Sequence, residues 1–113
     1  MKIFIKNNDV ISIKNNCIEV IAENKNYSFD KTEIKDILLL TRDSGPFDDD
    51  VCLAIIINST SISEEVIIFI ESEHQMYEKL LFDELKEIVS IDYEAIIQAM
   101  TCVEDKVFVL YKK

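Results

Sequence analysis

Two uninterrupted apolar runs, Ile37-Leu38-Leu39-Leu40 and Leu53-Ala54-Ile55-Ile56-Ile57, constrain this chain more than any other feature. Both are far too short to span a bilayer, which takes about 20 residues. Their length and their aliphatic side chains suit strands. Side chains of a strand alternate between two faces, so a run without alternation predicts burial on both. The sequence thus predicts two central strands, over residues 34–41 and 51–58. A third, over residues 65–70, follows a Ser/Thr-rich turn at 58–63.

The first thirty residues carry a period of two. Ile3 and Ile5, Ile11 and Ile13, Ile18 and Val20, then Tyr27 and Phe29 mark successive short strands. The breaks fall at Asn7-Asn8, Asn15-Asn16 and residues 23–26. Asn tolerates the left-handed backbone of a tight turn, so these read as hairpins. Lys-Asn-Asn recurs at 6–8 and 14–16 and sets the hairpin spacing. About seven strands therefore precede any helix.

Ser72 followed by Gln75 fits a capping box, with Glu71 and Glu73 near the positive end of the helix dipole. Tyr77, Leu81, Leu85 and Ile88, widened by Leu80, form one apolar stripe behind it. Ser90 or Asp92 can cap a second helix whose expected inner face is Tyr93, Ile96, Ile97 and Met100. Residues 106–111 alternate again and close the chain as a strand. The expected fold is α+β: an antiparallel meander of about seven strands, two helices and a C-terminal strand, in a single domain over residues 1–113.

Charge is distributed unevenly along this pattern. The net charge is -10, yet residues 1–42 carry seven bases against six acids, while residues 43–105 carry two bases against sixteen acids. Such a block repels phosphate, which disfavours nucleic acid, and it attracts a basic protein. Membrane binding is disfavoured too, since the needed Lys/Arg cluster is missing. Cys17, Cys52 and Cys102 are odd in number and sit in apolar stretches, so buried reduced thiols in a cytoplasmic protein are expected. The start at residues 1–6 resembles a signal peptide, but Asn7-Asn8-Asp9 cuts its apolar region short.

The segment Thr41-Arg42-Asp43-Ser44-Gly45-Pro46-Phe47-Asp48-Asp49-Asp50-Val51 holds the chain's one Gly, one Pro and one Arg. Its acids lack the alternate spacing of a calcium-binding EF-hand loop. It reads either as a solvated turn capped by Asp43 or Asp50, or as a binding loop. In the second reading Phe47 is an anchor, and Asp48, Asp49 and Asp50 join Glu71 and Glu73 in meeting Lys or Arg of a partner. His74 lies among acids with no nucleophile beside it, so an exposed surface histidine is expected. The thiols lack CxxC spacing, and one Gly cannot build a phosphate loop. No catalytic residue, cofactor or metal is expected.

The same loop carries a resemblance. Thr41-Arg42-Asp43-Ser44-Gly45-Pro46-Phe47, then Asp50-Val51, is similar to a Thr-Thr-Asp-Asp-Gly-Pro-Phe-x-x-Asp-Val signature of a family of small bacterial proteins. Asp92-Tyr93-Glu94-Ala95-Ile96-Ile97-Gln98-Ala99-Met100 resembles that family's Asp-x-Glu-x-Val-Ile-x-Ala-Met helix, and the closing aromatic strand fits as well. The chain departs from the pattern at Arg42, Ser44 and Cys52. By type, it also resembles immunity proteins of polymorphic or contact-dependent toxin systems. That resemblance implies a small acidic protein that covers a cognate basic toxin, such as an RNase. The strand meander with late helices is similar to pleckstrin-homology-like folds, which implies the alternative of a cytoplasmic protein-binding adaptor.

Overall fold

The computed structural model describes residues 1–42, 51–102 and 104–113. Among these, eight strands form two sheets: β1 (Lys2–Phe4), β2 (Val10–Lys14), β3 (Cys17–Ala22), β4 (Lys25–Asp30), β5 (Ile34–Thr41), β6 (Val51–Ser59), β7 (Glu64–Glu71) and β8 (Lys106–Lys112). The small sheet is the antiparallel meander β2-β3-β4, and the large one has the order β1-β7-β6-β5-β8. The α+β class holds, with seven strands and one 3₁₀ turn (Lys31–Glu33) before the first α-helix and one strand after the last.

The two turns of the small sheet follow from backbone sterics. Asn15 and Asn16 take φ of 51° and 64°, and Glu23 and Asn24 take 54° and 62°. Two successive left-handed residues give the twist that a two-residue hairpin needs. The repeat at 6–8 does something else, which corrects the expected hairpin there. β1 pairs in parallel with β7, Ile3 opposite Ile68. The Lys6 N–H donates to Asp9 Oδ2 at 2.8 Å and the Asp9 N–H to the Lys6 carbonyl at 2.9 Å, so this bend carries the chain from one sheet to the other.

The core lies between the sheets and under the helices. Ile37, Leu39, Leu53, Ile55, Val66, Ile68 and Ile70 point inward from the large sheet, and Ile11, Ile18, Val20 and Phe29 meet them from the small one. The expectation that β5 and β6 are buried on both faces holds for β6 over residues 52–55, where Cys52 and Ala54 on the outer face are buried as fully as Leu53 and Ile55 on the inner one. It fails for β5, whose outer residues Leu38 and Leu40 are only partly covered, as is Ile56 further along β6.

The helices also differ from expectation. The first begins at Tyr77, not after Ser72, and its N-cap Met76 makes no side-chain capping bond. An α-turn (Tyr77–Lys79) leads into a π-helical turn (Leu80–Glu84) and a 3₁₀ turn (Leu85–Glu87). In the π turn the Leu85 N–H reaches back to the Leu80 carbonyl, which widens the helix by one residue. Tyr77, Leu80, Leu81 and Leu85 are buried, as their spacing predicted, while Ile88, expected on the same stripe, is only half-buried.

The second helix, α2 (Tyr93–Met100), starts at Asp92, whose Oδ1 accepts from the Ala95 N–H at 3.2 Å. Its inner face is Ala95, Ile96 and Ala99, while Tyr93, Ile97 and Met100 are exposed. The two alanines let the helix backbone approach β8 and β5 closely, and this turns the bulky side chains outward. No described helix is long and apolar enough to cross a membrane.

Candidate functional site

Of the six residues expected to bind a partner, Phe47, Asp48, Asp49 and Asp50 lie outside the described residues. Glu71 ends β7, where both its carboxylate oxygens accept from Arg42 Nη2, at 3.0 and 3.1 Å. Glu73 is exposed in the connection into the first helix. His74, expected on the surface, is buried. Its Nδ1 accepts the Met76 N–H at 3.0 Å, so the ring proton sits on Nε2 and is donated to the Lys6 carbonyl, 2.9 Å away. The imidazole is a strut between the helix entry and the β1–β2 bend.

Acid gathers on the helical layer. From Glu71 to Glu94 the chain has eight acidic side chains and two lysines. Glu73, Glu78, Asp83, Glu87 and Glu94 are all exposed. Along α2, Tyr93, Ile97 and Met100 stand at i, i+4 and i+7, one stripe on the solvent side. Ile97 is 63% and Met100 66% exposed. Met100 also borders a cleft of about 160 Å³ with Phe82, Glu78 and Tyr77, so the stripe runs into the acidic first helix. Sequence reasoning missed this stripe because the same i, i+4, i+7 spacing also describes a core-facing one. The two alanines on the opposite face were the signal that could have found it.

A second concavity lies over the outer face of the large sheet. Cys52 and Leu40 floor it, Phe4, Phe69 and Val107 wall it, and Arg42 and Glu71 close one end, around about 380 Å³. The rings of Phe4 and Phe69 stack with centroids 4.9 Å apart. Burial, with Glu71 nearby adding to it, pushes the Cys52 thiol up to about 11, so it is a neutral thiol at ordinary pH and no nucleophile. Cys52 is buried as expected, whereas Cys17 and Cys102 are only half-buried, and all three are free. Among the described residues no group of three or more His, Cys, Asp or Glu side chains is placed to hold a metal ion.

No family model, curated protein or solved structure matches the chain.

Proposed function

We propose that this protein is a cytoplasmic immunity-type protein that binds and neutralises a basic toxin domain, an RNase, through the helical layer. One observation carries the reading: the exposed stripe Tyr93, Ile97 and Met100 runs into a helix crowded with unshielded carboxylates. Apolar side chains that stay in water beside a predominantly acidic surface suit a partner that offers both an apolar anchor and Lys or Arg. A polyanion is the wrong ligand, because the acids repel phosphate. The resemblance of type to immunity proteins supports the same reading. Glu73, Glu78 and Glu94 act by pairing with the partner's cations and by steering its approach. Glu71, already held by Arg42, contributes less.

The test uses the product of the reading frame immediately upstream of this one. Co-expression is expected to restore growth, and the purified pair to form a one-to-one complex in which RNA cleavage stops. Ile97→Glu places a like charge in the contact and is expected to weaken the complex about tenfold or more, since an unpaired buried charge is costly. A neighbour that gains no inhibition, or a complex indifferent to Ile97→Glu and Met100→Glu, overturns the reading.

The alternative, a protein-binding adaptor, draws on β8. Among the described residues it pairs with β5 alone, and Val107 and Val109 are exposed on it, so its outer edge can accept an added strand.

A further inference from the structure

We propose that the cleft between the two helices is a socket for one arginine side chain of the basic partner, an inference that rests on the function proposed above. The first helix supplies Tyr77, Glu78, Leu81 and Phe82, and Met100 closes the cleft from the end of α2. Leu81 and Phe82 are neighbours in the π turn, and both line the cleft, Leu81 buried beneath and Phe82 partly exposed. The cleft encloses about 160 Å³. Small-molecule sites begin at about 300 Å³, so this one has room for a single side chain. Met100 also ends the exposed stripe of α2, which places the socket inside the proposed contact. A pocket that one anchor fills, ringed by apolar side chains that exclude water, is where binding energy concentrates.

The lining selects the occupant. Leu81, Phe82 and Met100 are apolar, while exposed Glu78 brings a carboxylate to the rim. Among the described residues that carboxylate has neither an ion pair nor a hydrogen bond. The cleft also lies at the C-terminal end of α2, whose last turn carries no basic side chain, so the negative end of its dipole is unopposed by the chain itself. An acidic side chain is repelled here, and an aliphatic one would cover Glu78 without pairing it. A lysine ammonium can pair with Glu78, but it is strongly hydrated and gains little from an aromatic wall. Arginine meets both halves of the lining. Its stem lies along Leu81 and Met100, and its guanidinium plane stacks on Phe82 and donates to Glu78.

The test is an amide NMR titration of the full chain with N-acetyl-arginine methylamide, run beside the lysine and norleucine amides. Shifts confined to the cleft residues are expected, at millimolar dissociation constants, strongest for arginine and absent for norleucine. Glu78→Gln and Phe82→Ala are each expected to weaken arginine amide about threefold or more. Glu94→Gln, at the other end of α2, is expected to leave its binding unchanged. No shift in the cleft, lysine or norleucine amide binding as tightly as arginine, or equal losses in Glu78→Gln and Glu94→Gln overturns the socket. In the complex with the product of the upstream frame, Glu78→Gln is expected to raise the dissociation constant about tenfold, because the pair is desolvated there. A complex that forms but ignores both Glu78→Gln and Phe82→Ala overturns the socket and leaves the proposed function standing. Arginine amide seated in the cleft, with no complex formed, overturns the proposed function alone.

Discussion

His74 is a polar side chain whose value lies wholly in two backbone groups. The Met76 N–H and the Lys6 carbonyl each have the imidazole as a partner, and the ring is buried against both. Removing it strands a donor and an acceptor where water enters poorly, and an unsatisfied buried group costs more than a hydrogen bond contributes. His74→Ala is expected to destabilise the protein by about 2 kcal/mol, read as a lower urea midpoint at unchanged slope. An unchanged midpoint would show that solvent replaces both bonds. From sequence alone the residue looked like surface, because its neighbours Glu71, Glu73 and Glu78 are acids. What buries it is the bend at residues 6–9, sixty-odd positions away, and no local pattern encodes that contact.

The elements most legible in the sequence are those whose side chains repeat with one unambiguous period. The strand β5 starts and ends at the expected residues, β6 and β8 differ by one residue at one end and β7 by one residue at each, because continuous or alternating Ile, Leu and Val leave no other reading. The helical layer was legible only in part. The stripe Tyr77, Leu81 and Leu85 is right, but the π turn cannot be seen in it, and that turn sets the role of Glu84. Widening the helix there brings Glu84 Oε1 to the Ile13 N–H at 3.1 Å, closing the free edge of β2. Its Oε2 is buried with no hydrogen-bond partner among the described residues. Glu84→Gln keeps an acceptor for Ile13 and removes a charge from that pocket, so stability is expected to hold or rise by up to about 1 kcal/mol. Glu84→Ala leaves the Ile13 N–H without its partner and is expected to lose about 1–2 kcal/mol. Equal losses in the two variants, in the same denaturation measurement, would mean that the carboxylate charge itself is what holds the turn.

Across the whole molecule, the negative charge is not confined to one layer. Residues 71–94, which form the helical layer, hold eight acids against two lysines, and residues 43–70 hold six acids and no base, so each length contributes -6. The sequence made the acidic block legible but could not divide it, since Glu71 and Glu73 are two residues apart in the chain and yet Glu71 is held by Arg42 while Glu73 is exposed in the connection into the first helix. Raising ionic strength shortens the screening length to about 8 Å at physiological salt and less above it. Screening weakens the long-range attraction between the helical layer and a basic partner, which slows association. Between low and moderate salt, the association rate with a basic domain is therefore expected to fall several-fold, read by surface plasmon resonance over a salt series. A rate indifferent to salt would mean that the apolar stripe Tyr93, Ile97 and Met100, and not the carboxylates, carries the encounter.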